Sequence, residues 1–200
     1  MAQQTGLVRQ AIDWFREKFQ TLRRELISGR AGRQSSGDII GEARRDSKIQ
    51  LGHMYFFNYH PKYAAKLEYY DQFPLVIPIG AWQGGFIGMN FHYLPYNLRE
   101  KLMKLLIATH VSSLGERSGV KLDTPATSYL NIKYDQLAPF SKYKEAKPTI
   151  HKYNMRNVAS KFLHINSDEW NTALHLPVED FRKATKAQVW LDSREKIKAL

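Results

Sequence analysis

Aromatic residues crowd into one stretch of the chain. Between His53 and Leu106 stand Tyr55, Phe56, Phe57, Tyr59, Tyr69, Tyr70, Phe73, Phe86, Phe91 and Tyr93. Residues of this type favour a pleated, half-buried surface, so the stretch predicts strands. Gly84-Gly85 lies between two apolar runs and marks a hairpin or tight corner. Pro74 and Pro78 cannot both donate ladder hydrogen bonds, so the 75–79 strand is expected at a sheet edge or beginning at a bend. Leu94-Pro95 then starts a helix over 96–112, because proline costs nothing at a first helical position. Leu98, Leu102, Leu105 and Leu106 are its expected inner face, and Arg99, Lys101 and Lys104 its outer one. The fold class is α+β: a small twisted antiparallel sheet or partial barrel with flanking helices.

Upstream the character differs. Val8, Ile12, Phe15, Phe19, Leu22 and Leu26 recur at alternating spacings of four and three, an amphipathic stripe that predicts a helix within residues 1–28. A lone helix of this length is marginal in water. Its stripe therefore docks on its own domain, on a second copy or on another protein; a membrane surface fits less well, since acids interrupt its polar face. Residues 29–50 are rich in Gly, Ser and Arg and read as a flexible basic linker. A single α+β domain over 51–200 follows, a length that can bury one good core.

The chain carries a formal charge of +11, which favours a polyanionic partner: nucleic acid, an acidic protein or anionic lipid. The charge is densest between residues 140 and 161. Lys142, Lys144, Lys147, Lys152, Arg156 and Lys161 face a single acid, Glu145, with Tyr143 and Tyr153 interleaved. Ammonium and guanidinium groups pair with phosphates while flat rings stack on bases; a solvated charged face explains the same run. Cysteine is absent, which excludes disulfides, thiolate metal sites and a cysteine nucleophile. No apolar run suffices for a membrane span, and no secretory signal is expected.

The remaining elements are read from local pattern. TSYLNIKYDQL, residues 127–137, alternates as a strand through Tyr129, Ile132 and Tyr134. Residues 113–125 form an exposed connection, and residues 155–164 a short helix with Val158, Phe162 and Leu163 inward. Asn166-Ser167-Asp168-Glu169 is a capped helix start. Leu176-Pro177 opens a last helix with Phe181 facing in, and Trp170, Trp190 and Leu191 anchor the C-terminal region.

Motifs for chemistry are sparse. The histidines form no HxH or HExxH pair, so no metal and no cofactor is expected. His53 and His92 are placed to approach each other across adjacent strands. There is no nucleophile elbow and no phosphate-cradling loop. Asp71, Asp123 and Asp135 are too widely spaced for a nuclease's divalent cations, so the chain is not expected to be an enzyme. Asn90 and His92 alternate with Met89 and Phe91, which puts both on one face as polar contacts.

The run MYFFNYHPKYAAKLEYYDQFPLVIPI, then GGFIGMNFHYLPYNLREKL and EWNTALHLPVEDFRKATKAQVWLDSR, resembles a family of small virion proteins of T4-like contractile-tailed phages, of the DNA end protector type. The likeness covers about 53–106 and 150–194. One departure stands out: the family pattern has Leu-Pro before Tyr-Tyr-Asp, where this chain has Leu67-Glu68 before Tyr69-Tyr70-Asp71. The resemblance implies a non-enzymatic virion component, assembled in the host bacterial cytoplasm with other virion proteins, that binds and shields the ends of packaged double-stranded DNA. A structural adaptor of the tail baseplate or neck is the alternative. The motif residues Tyr55, Tyr70, Asp71, Phe73, Pro74, Phe86, Gly88, Asn90, His92, Tyr93 and Pro95 then specify the fold.

Overall fold

The computed structural model describes residues 45–118 and 129–200. The expected helix with its stripe Val8, Ile12, Phe15, Phe19, Leu22 and Leu26 lies outside them. Of the stretch read as linker, Arg45–Asp46 forms the first strand, β1. There follow β2 (Met54–Phe56), β3 (Tyr70–Asp71), β4 (Leu75–Trp82) and β5 (Gly85–Asn90), then α1 (Tyr96–Ser118) and a single-turn α2 (Tyr134–Leu137). The chain closes with β6 (Ile150–Asn154), β7 (Phe162–Ile165), α3 (Trp170–His175), β8 (Phe181–Arg182) and α4 (Lys186–Lys198). The main sheet runs β1-β7-β2-β4-β5-β6, with every pairing antiparallel; β3 and β8 form a separate ribbon.

Period-two alternation divides the sheet's side chains between two cores. Met54, Phe56, Leu75, Ile77, Ile79, Met89, Leu163 and Ile165 point to one face, where Leu102, Met103 and Leu106 of α1 and Trp170 of α3 cover them. Tyr55, Phe57, Val76, Phe86, Tyr153 and Phe162 point to the other and form an aromatic core of their own. That second core shows how far the sheet curls. Phe86 of β5 and Phe162 of β7 stand 6.3 Å apart between ring centroids, although β2 and β4 lie between their strands. Three strand spacings would separate them by about 14 Å in a flat sheet. The strands therefore wrap around the rings, as a partial barrel does.

The β4–β5 hairpin turns at Gln83-Gly84, with Gly84 at φ +93°, a conformation open to glycine at little cost. Gly85 is already in the strand. A Cβ there would sit 1.9 Å from the Tyr153 carbonyl oxygen and under the Trp82 ring.

Several elements differ from the sequence expectations. β4 is central, between β2 and β5. Pro78 is accommodated because β2 pairs only with Leu75 and Val76, and a register shift follows between Pro78 and Gly80. The freed Pro78 carbonyl accepts from Gly52 N–H at 2.8 Å. Helix α1 runs on to Ser118, through the first half of the expected connection. Its inner face includes Arg99, which is 0% exposed, while Leu98 and Leu105 are only half-buried. Residues 129–133 form no strand: Leu130 and Ile132 are buried, Tyr129 and Tyr134 exposed. Residues 155–164 are a 3-10 turn, Met155–Asn157, followed by β7. Asn58, Tyr59 and His60 hold that connection by hydrogen bonds and a β-bridge, which favours extended backbone. The Asn166 start is as expected, with its N–H donating to Glu169 Oε2 at 3.2 Å. Leu176 ends α3 instead of opening a helix; Phe181 lies in β8, and α4 begins at Lys186 behind Thr185, whose Oγ1 accepts from Gln188 N–H. Leu191 is 51% exposed, and Val189, Ser193 and Ile197 are the buried residues of α4.

Candidate nucleic-acid interface

All six basic residues singled out in the 140–161 stretch are exposed. The backbone explains this for the first three. Lys142 precedes, and Lys144 and Lys147 lie within, the 3-10 segment Lys144–Thr149, whose Glu145, Ala146, Pro148 and Thr149 are buried. The segment is thus anchored by its intervening residues while its lysines stand clear. Glu145 receives Lys101 Nζ at 2.7 Å. Burial raises the pKa of this carboxyl, but the hydrogen bond from Lys101 and the nearby positive charges outweigh it and leave a net depression. The single acid of the stretch is therefore already engaged. Lys152 lies on β6, the strand at the sheet's outer edge. Arg156 sits in the following 3-10 turn, and Lys161 directly precedes β7.

The interleaved tyrosines do not join this surface. Tyr143 is buried, with its hydroxyl 2.9 Å from Thr109 Oγ1. Tyr153 packs within the aromatic core, stacked on Phe86 at 5.1 Å and edge-on to Phe57 at 5.5 Å. Burial holds its phenol well above the ordinary tyrosine range. Neither ring can stack on a base, because both are committed to packing. Basic residues and rings alternate in sequence, but the rings are buried and the bases exposed, with Lys142 Nζ 5.3 Å from the centroid of the Tyr143 ring beside it.

An aromatic residue that the basic run does not contain takes their place. Trp82 ends β4 at the hairpin tip, 38% exposed, its indole lying over Gly85. Met155 N–H donates to the Gly84 carbonyl at 3.0 Å, and Gly85 pairs with Asn154. The turn carrying Trp82 and the turn carrying Arg156 are thus hydrogen-bonded neighbours, with Met155 also 38% exposed between them. An exposed indole and a methionine beside a guanidinium and the Lys152 ammonium form a surface suited to phosphates and base faces together. The Gly-Gly pair after Trp82 is the sequence signal that could have placed this ring at a tip.

The motif acids and histidines lead elsewhere. Asp71 Oδ2 accepts from Asn90 Nδ2 at 3.0 Å and from His92 Nδ1 at 2.8 Å, and its Oδ1 accepts from Phe73 N–H at 3.1 Å. Asn90 and His92 do act together as polar contacts. His53 does not meet His92; its Nδ1 lies 3.2 Å from Nε2 of His164, on the strand beside β2. Burial, then the neighbouring His164, lowers the His53 pKa. Arg99 donates to the carbonyls of Leu94 (2.7 Å), Leu174 (3.0 Å) and His92 (3.3 Å), and pairs with buried Glu179. The Asp71, His92 and Arg99 contacts are spent on tying the β3–β8 ribbon, α1 and α3 to one another. Among the described residues no group of three or more His, Cys, Asp or Glu could hold a metal ion, and no helix is long and apolar enough to cross a membrane.

A family model described as the phage T4 terminal DNA protecting protein matches residues 10–193. The chain belongs to that family. The matched residues take in the aromatic motif, the Asp71–Asn90–His92 cluster and the exposed bases from Lys142 to Lys161. No curated protein and no solved structure matches the chain.

Proposed function

We propose that this protein binds the ends of linear double-stranded phage DNA in the virion and shields them from exonuclease by occupying them, without making or breaking a bond. The observation that carries this reading is the family match over 10–193. The exposed bases from Lys142 to Lys161 and the Trp82–Arg156 tip supply a surface of suitable chemistry. Affinity then rests mainly on phosphate contacts and falls steeply with salt. Protection needs no catalytic group, because a nuclease that starts at a terminus is blocked once the last base pairs are covered. The buried Asp71–His92 pair fits that view, since its carboxylate already serves three donors. The N-terminal stripe from Val8 to Leu26 is the arm proposed to dock on other virion proteins.

The test compares binding to linear and closed circular duplex of equal length at two salt concentrations, followed by exonuclease challenge with and without Mg2+. Preference for the linear form, and survival of its ends, is the expected result. Absence of binding at either salt would assign the basic surface to an acidic protein partner of the tail. Metal-dependent cleavage of the duplex would overturn the non-enzymatic reading.

A further inference from the structure

The most exposed large hydrophobic residue among the described ones lies in the loop between β2 and β3, where His60 donates from N–H to the Asn157 carbonyl of the basic 140–161 stretch at 2.9 Å. Tyr63 is 59% exposed. It stands in a short helical turn in which Ala64 N–H donates to the Pro61 carbonyl at 3.1 Å and Lys66 N–H to the Tyr63 carbonyl at 2.9 Å. Lys62 and Lys66, four residues apart, fall on one side of such a turn. Their ammonium nitrogens lie 5.4 Å and 5.7 Å from the Tyr63 ring centroid. Both ammonium groups thus lie over the ring, which is otherwise open to solvent, and they must swing aside for a base to stack on the face they cover.

The loop is fixed from outside. Lys183, just after β8, donates from Nζ to the carbonyls of Ala65 at 2.8 Å and Leu67 at 2.9 Å. Its own backbone is at φ 70°, the only non-glycine residue in that region among those described. Such a conformation persists where surrounding contacts enforce it. The β3–β8 ribbon at the loop's base is in turn held by Asp71. The carboxylates close by are Glu68, Asp192, which is hydrogen-bonded to Tyr69 of the same loop, and Asp180, which pairs with Arg182 at 3.5 Å. Lys62, Lys66, Lys183 and Arg182 outnumber them, so the face is positive.

Resting on the end-binding reading above, we propose that Tyr63 is a stacking platform for the exposed face of the terminal base pair, with Lys62 and Lys66 on the flanking phosphates. A base inside a duplex presents only its edges, in the grooves, because both of its faces are covered by neighbours. The last base pair alone has a free face. A solvent-facing ring on a held loop, whose two covering ammonium groups move off to the phosphates, therefore separates an end from an interior site by geometry, with no sequence readout. Fixing the loop beforehand lessens the ordering cost of binding.

The experiment uses the full chain with Tyr63→Ala and Tyr63→Phe, blunt linear duplex, closed circular duplex of equal length, and 2-aminopurine at the terminal or an internal position. Wild type should change the fluorescence of terminal 2-aminopurine and leave the internal probe unaffected. Tyr63→Ala should abolish that signal and reduce the preference for linear over circular duplex roughly five- to 150-fold, the share of one stacked base. Circle affinity should stay unchanged, and Tyr63→Phe should behave as wild type. Full preference and full signal in Tyr63→Ala would overturn the platform while end binding stands. A wild type that does not distinguish linear from circular duplex would overturn both readings. A single-stranded circle that competes as well as the blunt end would overturn the base-pair assignment.

Discussion

Asp71 and His92, twenty-one residues apart in sequence, meet at 2.8 Å between Oδ2 and Nδ1 in an interior that excludes solvent from both side chains. The contact joins the β3–β8 ribbon to the turn that leads into α1. The same carboxylate holds Asn90 Nδ2 and Phe73 N–H. Asp71→Ala should therefore strand three buried donors at once. The expected cost is about 3–5 kcal/mol, read as a fall in the urea midpoint at constant slope. Asp71→Asn keeps one acceptor and should cost clearly less. Equal stability of Asp71→Ala and wild type would show that the cluster is not what ties the ribbon down.

Gly85→Ala tests the edge of the sheet. Its Cβ would meet the Tyr153 carbonyl at 1.9 Å and the Trp82 ring at 2.8 Å. Backbone cannot yield as a side chain does, so β6 should be pushed away, at a cost of about 1–3 kcal/mol or more. A lowered Tm with altered indole fluorescence is the expected pair of results. Gly80→Ala is the control, because its nearest contacts lie at 3.8–3.9 Å.

Lys152, Arg156 and Lys161 lie on the surface proposed for phosphate binding. Changing all three to Gln should flatten the plot of log affinity against log salt by about one unit for each phosphate left without its cation. Stability should hardly change, since all three are exposed. An unchanged slope would move the DNA-binding surface elsewhere.

Acid should weaken the fold through His151. Burial lowers its pKa from 6.5 to about 4, against smaller opposing contributions from its hydrogen bond to the Pro148 carbonyl and from Asp71; Lys196 adds to the fall. The ring packs 4.0 Å from that of Tyr93. Below pH 6.5 the unfolded chain takes up a proton that the folded one refuses, so stability falls as pH drops from about 6.5 towards 4. Each unit of separation is worth about 1.4 kcal/mol. His151→Gln should remove part of the Tm loss between pH 7 and pH 5. His53, also depressed, leaves a remainder in the same direction.

Local sequence was enough to specify the aromatic sheet, its hairpin, the helix after Pro95 and the joint role of Asn90 and His92. Each rests on a short-range rule: alternation, a glycine at a turn, proline at a helix start. Residue type also sufficed for the exposure of the six bases, because long charged side chains are rarely buried without partners. Arg99 is the exception, since its partners are carbonyls and a carboxylate from Leu94, His92, Leu174 and Glu179. Those groups come together only when the chain is folded, and no spacing reveals them. β4 became central despite Pro78 because its neighbour β2 stops short. Tyr143 and Tyr153 turned inward, while Tyr63 and Trp82 were left in solvent at a loop and a hairpin tip. Which rings face water depends on what the curled sheet encloses, a property of strand order and register and not of any single segment.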